Sequence, residues 1–166
     1  MRTITRVSAV VAAVLTLGAL PATAQSANIN ATATVFQAIT VTGANTLAFG
    51  NVFPGVAKSV GAATGGASSG RFDLAGQAST PVQLTFTLPG NLTNGANNLP
   101  IGTWTGCTNP TATQAGCTAF TPSGTPTTSG FSAAGALSVY VGATVTPGAA
   151  QAAGNYTGIV TLTANY

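Results

Sequence analysis

The sequence predicts an all-β fold, an antiparallel β-sandwich in a single domain. Three observations carry this reading. Apolar and polar residues alternate with a period of two in run after run, as side chains do on the two faces of a strand. The runs are short, and turn formers such as Pro54-Gly55, Pro89-Gly90, Asn94-Gly95 and Pro147-Gly148 separate them. No segment beyond residue 24 carries a convincing helical period.

The first residues stand apart from the domain. Arg2 and Arg6 precede a mainly apolar run from Val7 to Leu20, and Ala22-Thr23-Ala24 supplies a small-residue cleavage pattern. Residues 1–24 therefore read as a secretory signal peptide, with an uncleaved anchor as the alternative, and Gln25 to Tyr166 as the mature domain. Cleavage would leave no membrane span and would send the protein across the inner membrane, through the periplasm, to the cell surface or beyond.

Ala27 to Val35 is the first strand candidate. Ala27, Ile29, Ala31, Ala33 and Val35 alternate strictly with Asn and Thr over about 30 Å of extended chain. Its apolar face is thin, because three of those five residues are Ala. Further candidates follow at Gln37–Thr42, Thr46–Val52 and Val56–Val60, where Lys58 would protect an edge. Gly61–Gly70 reads as a small-residue loop and Arg71–Ala78 as another strand. Pro81–Leu88 is the clearest central strand, with Val82, Leu84, Phe86 and Leu88 on one face and Pro81 where a missing N–H is tolerated.

Asn91–Gly130 is the least regular part, broken by Pro100, Pro110, Pro122 and Pro126, and reads as a variable or functional surface. Ala136–Thr146 regains strand character through Leu137, Val139, Val141 and Ala143. The chain closes on Tyr156–Tyr166, where Tyr156, Val160, Leu162, Ala164 and Tyr166 share one parity and Thr157, Thr161, Thr163 and Asn165 the other. A strand at the very end has no downstream hairpin partner, so its free edge must pair with something else. Seven or eight such strands fit an immunoglobulin-like sandwich; a jelly roll or a closed barrel is compatible with the same count.

Composition excludes much chemistry. Charged residues make up 3% of the chain, whereas they cover about a quarter to a third of a typical soluble surface. Beyond residue 24 only Lys58, Arg71 and Asp73 are charged, which leaves no basic patch for nucleic acid. So uncharged a surface has little to keep copies apart, and this favours self-association. There is no His and no Glu, and Asp73 is the single carboxylate side chain. Acid–base catalysis, paired-carboxylate hydrolysis and a zinc or calcium cage all lack their residues, so the reading is a non-enzyme without cofactor or metal. A Lys58-Ser59 pair is a poor nucleophile pair, because neighbours in a strand face opposite ways.

Cys107 and Cys117 are the only cysteines, and in an exported chain they read as a structural disulfide rather than a reactive dithiol. Trp104 lies beside them. It could cap the core beneath the loop or present a ring for surface contact with a sugar.

The closing Gly154-Asn155-Tyr156-Thr157-Gly158-Ile159-Val160-Thr161-Leu162-Thr163-Ala164-Asn165-Tyr166 resembles the last strand of spore-coat-U-type and chaperone–usher pilin domains. Leu47-Ala48-Phe49-Gly50-Asn51-Val52 resembles their early Leu-x-Phe-Gly segment. The chain from Gln25 to Tyr166 as a whole is similar to the bacterial secreted family DUF4402. The pilin resemblance implies a sandwich lacking one strand, filled first by a periplasmic chaperone and then by the N-terminal extension of the next subunit. It implies that Ile29, Ala31, Ala33 and Val35 are donor residues and that Tyr156–Tyr166 borders the acceptor groove.

Two functions follow as expectations. The first is a structural subunit of a fimbria-like fibre or surface coat, assembled by strand exchange as a homopolymer or with sibling subunits. A periplasmic chaperone and an outer-membrane usher are its implied partners. The alternative is a self-complete secreted adhesion module that uses the 91–130 disulfide region, with the N-terminal strand closing its own sheet.

Overall fold

The computed structural model describes residues 24–166 of the chain; the signal peptide expected at 1–24 falls, but for Ala24, outside them. The residues fall into two units, which part after Thr34. In the first, residues 24–34 carry no strand and are exposed throughout. The strand expected at Ala27–Val35 is thus not formed. A strand exists only by hydrogen bonding to a neighbour, and this segment has none among the described residues.

The second unit is an antiparallel β-sandwich. Its strands are β1 (Thr40–Asn45), β2 (Lys58–Val60), β3 (Gly70–Ala75), β4 (Pro81–Thr87) and β5 (Asn91–Asn94). There follow β6 (Asn97–Asn109), β7 (Thr118–Phe120), β8 (Thr127–Gly130), β9 (Ala136–Val145) and β10 (Thr161–Asn165). One short 3-10 turn, Gly66–Ser68, interrupts the loop before β3. The larger sheet runs β1-β3-β9-β6-β5, with β2 also paired to β9 and β7 to β6. The smaller sheet runs β10-β4-β8.

The pairing register defines two poles. Thr40 opposes Ala75, and Ala75 opposes Ala136; at the other end of β9, Val145 opposes both Lys58 and Ile101. Between the sheets, Leu74, Leu137, Val139 and Val141 of the larger meet Val82, Leu84, Phe86 and Leu162 of the smaller. Phe131 seals this cluster, and Tyr166 lies against it, so this end is the Tyr166 pole. A second cluster of Phe49, Val60, Leu99, Ile101, Ala143 and Val145 occupies the Val145 pole.

β9 is buried on both faces, contrary to the one wet face that its alternation predicts. Its outward Ser138 and Tyr140 lie under loops: Tyr140 clusters with Ala62, Cys107 and Cys117. Gln114 Nε2 donates to the Ala62 carbonyl (2.8 Å) and to Ser69 Oγ (2.9 Å), which ties the two covering loops together. Gly142 is required here, because a Cβ would run into the Val60–Ala62 backbone crossing above it. Cys107 and Cys117 form the expected disulfide, with Cα atoms 5.6 Å apart. It closes one of these loops.

Asn91–Gly130 is far more regular than its sequence suggests, since it holds β5, β6, β7 and β8. A shift in register between Gly102 and Thr105 hides the longest of them from a period-two reading. Thr103 adopts a left-handed φ of 47° at this bulge, and the parity changes across it. Leu99 and Ile101 face the core before the bulge, and Trp104 turns inward at it.

Candidate functional site: an uncovered trench on the larger sheet

The smaller sheet covers only half of the larger one. Over the Val145 pole the inner face of the larger sheet opens into a cavity of about 900 Å3. Its floor is Phe72 of β3, Val141 and Val145 of β9, Leu99 and Ile101 of β6 and Leu92 of β5. One wall is Asn45–Pro54 and the other Gln151–Val160.

Thr46–Val52 and Tyr156–Val160 read as strands in the sequence, but neither forms one. Thr46–Val52 has Leu47 and Phe49 on one parity, but the neighbour it would need is missing. β3 begins at Gly70, and the chain before it turns outward over the sheet. A single backbone bond, from Ala48 N–H to the Ser68 carbonyl (2.9 Å), holds this wall to that loop. Lys58 Nζ also donates to the Asn51 carbonyl (3.0 Å). The wall ends in a β-turn in which Val56 N–H donates to the Phe53 carbonyl (3.1 Å), with Pro54 and Gly55 at its centre. Gly55 has φ +74°, the value that the third position of a type II turn requires.

The opposite wall includes Tyr156–Val160, the first half of the expected terminal strand. Only Thr161–Asn165 pairs, with Gln83–Thr87 of β4. Thr157 makes an isolated bridge to Thr93 of β5, and Gly158–Val160 pairs with no strand. The cause is geometric: β4 ends at Thr87, so nothing continues the ladder beyond Thr161. Polar bonds anchor the wall instead. Gln151 Nε2 donates to Tyr156 Oη (2.7 Å) and to the Asn98 carbonyl (3.1 Å), and Tyr156 Oη donates to the Ala152 carbonyl (2.8 Å).

Of the residues that share the terminal dry face, Leu162 is buried and Tyr156, Val160 and Ala164 are half-buried. Tyr156 and Val160 line the trench; Leu162 and Ala164 belong to the closed half. Tyr166 lies at the far pole. Its hydroxyl donates to the Gln37 carbonyl (2.5 Å) and accepts from Gln77 N–H (2.6 Å), and its ring meets Phe36 at 5.4 Å. The candidate donor residues Ile29, Ala31, Ala33 and Val35 are all exposed. Trp104 is half-buried and packs against both apolar clusters, so it caps the core where the closed and open halves meet. The sequence signal for that role was its place beside the bulge, which period-two reading cannot resolve.

Asp73 follows Phe72 of the trench floor in β3 and faces the opposite side of the sheet. It pairs with Arg71 at 2.6 Å and accepts from Ser138 Oγ at 2.7 Å. This hydrogen bond to Asp73 raises the Arg71 guanidinium above its ordinary value, against a smaller opposing effect of burial.

The architecture is that of a secondary-structure module: an antiparallel β-sandwich domain whose inner sheet face is left uncovered at one pole. Residues 39–166 match the family described as Domain of unknown function (DUF4402), and the chain belongs to that family. No curated protein matches it. No helix among the described residues is long and apolar enough to cross a membrane.

Proposed function

We propose that the protein is a non-enzymatic structural subunit of an extracellular fimbria-like fibre or surface coat, assembled by strand exchange. The segment 27–35 of one copy occupies the trench of another, completing a sheet edge through backbone bonds and filling apolar pockets with alternate side chains. The observation that carries this is the pairing of two unfinished features in one chain. One is a trench of about 900 Å3 with an apolar floor and walls that pair with no continuous strand. The other is an alternating segment without partners, whose Ile29 and Val35 are 93% and 92% exposed.

The occupant comes from a second copy on grounds of reach. The chain enters the domain at the Tyr166 pole, where Gln37 is fixed by Tyr166. The trench lies toward the other pole, beyond the six residues of β1, about 20 Å of strand. To fill its own trench the segment would first have to run back along β1, where β10 already approaches. Only residues before Asn30 would then remain for the trench.

The signal peptide read at residues 1–24 fits this role, as do the disulfide and the resemblance of the chain to pilin domains; sibling subunits, a periplasmic chaperone and an outer-membrane usher are the natural partners. The absence of His and Glu and the engagement of Asp73 with Arg71 support a role without catalysis.

The test is a chain carrying Ile29→Ser and Val35→Ser. Burying such a side chain is worth about 1.5–3 kcal/mol, so losing two weakens exchange by about a hundredfold or more. In analytical ultracentrifugation the wild type forms polymers and the variant stays monomeric. A synthetic peptide of residues 25–36 then binds the vacant trench of the variant. A wild type that remains a monomer at every concentration, or a peptide that fails to bind, sinks the reading.

A further inference from the structure

The two poles carry exposed apolar residues that strand exchange alone leaves wholly or, for Phe53 on the trench rim, partly uncovered. At the Val145 pole the turn Phe53–Val56 holds two large apolar side chains side by side, 68% and 58% exposed. Gly55 N–H donates to the Gly148 carbonyl (3.1 Å), which ties the turn to the loop after β9. At the Tyr166 pole, Phe36 packs at a tilt against Tyr166 and both rings remain partly open to solvent. No charged residue lies on the turn or beside Phe36 and Tyr166 in sequence.

From these features we infer that successive copies abut directly, end on end. The Phe53–Val56 turn of one copy packs against Phe36 and Tyr166 of the copy whose segment it has received. The inference rests on the strand-exchange reading and adds a contact between the sandwiches themselves.

Three observations carry it. The first is the absence of a spacer. Val35 is the last residue of the alternating segment, Phe36 already packs on Tyr166, and Gln37 is bonded through its carbonyl to Tyr166 Oη. A donor seated up to Val35 thus has its own sandwich at the mouth of the trench. The second is direction. The trench is shut toward the Tyr166 pole, where β1 and β10 approach each other, so the donor's sandwich lies outside the Val145 pole. This makes the donor run antiparallel to the Gln151–Val160 wall. The third is chemistry, since both facing surfaces present exposed apolar side chains. Covering them removes three aromatic rings and a Val from water, as an interface core does.

Such a contact makes a stiff fibre with a fixed rise per subunit, because the join has no free backbone residue at which to bend. The experiment compares fibres of the full chain by electron microscopy. Val56→Ser is expected to polymerise, with a persistence length several-fold shorter than that of the wild type. Inserting Gly-Ser-Gly-Ser between Val35 and Phe36 is expected to soften the fibre further and to lengthen its repeat.

Placed in the Ile29→Ser/Val35→Ser chain, Val56→Ser is expected to leave the affinity for the 25–36 peptide unchanged, since Val56 does not line the trench. Fibres of the insertion and Val56→Ser variants as stiff as the wild type would overturn the direct contact while leaving strand exchange standing. Loss of peptide binding on Val56→Ser would overturn it too, by making the turn part of the trench. If the wild type neither polymerises nor offers a trench to the peptide, both readings fall together.

Discussion

The two halves of the sandwich are built on the same strand and end differently. Toward the Tyr166 pole, Leu137 and Val139 of β9 cluster with Val82, Leu84 and Phe86 of β4, and sheet packs against sheet. Toward the Val145 pole, Ala143 and Val145 of β9 are as apolar and as well buried in their own sheet, but two irregular walls stand where strands would be. What differs is backbone rather than hydrophobicity. β4 ends at Thr87 and β3 begins at Gly70, so the ladder that would roof the second half has no chain to continue it. An apolar sheet face is thus a necessary condition for a closed core and an insufficient one.

The contrast is open to breakage. The largest effect is expected in the closed half: Leu84→Ala, at a fully buried site, should cost about 2–5 kcal/mol in urea unfolding, because surrounding atoms cannot relax into the hole. Reducing the Cys107–Cys117 disulfide should cost about 2–3 kcal/mol in the same assay, from the ten-residue separation it closes. It acts on the outer cover of β9 and leaves the trench as it was.

Ile101→Ala in the open half should cost only about 1–2 kcal/mol, since the cavity already exists on one side of the residue. Adding the 25–36 peptide to the Ile29→Ser/Val35→Ser chain should restore the difference, and Ile101→Ala should then reduce peptide affinity. An Ile101→Ala cost equal to that of Leu84→Ala without any occupant would erase the distinction between the halves.

Tyr156→Phe should cost about 1 kcal/mol, by removing the hydroxyl that joins Gln151 to the Ala152 carbonyl. Its signature is a loss of peptide affinity larger than the loss of thermal stability, because the residue fixes a wall rather than the core. Smallest of all is the response to pH. With no His and no free thiol, the unfolding midpoint should move little between about pH 6 and pH 9.

Strands with one dry face and a steady register were legible in advance. Pro81–Leu88 and Ala136–Thr146 were expected, and β4 and β9 occupy all but their last residue. The Cys107–Cys117 pair was legible from the cysteine count. β6 was not, because the bulge at Thr103–Trp104 reverses its parity, and because covering loops bury the outward Cys107 and Asn109 together with Thr108. Alternation in sequence reports burial on one face of an unbroken ladder, and β6 meets neither condition. The trench walls erred the other way. Thr46–Val52 and Tyr156–Val160 alternate like strands, yet find only isolated backbone bonds and no continuous ladder.

By itself, then, the sequence determined the class of the fold, the near absence of charge, the disulfide and the presence of an alternating segment at each end. These are properties of residue type and local period, which need no knowledge of what lies across the sheet. Only the tertiary structure decided which alternating segments became strands and that the uncovered face lies at the pole opposite the chain's entry. Backbone hydrogen bonds in a sheet join residues distant in sequence, so where a ladder stops depends on where every neighbouring strand begins and ends.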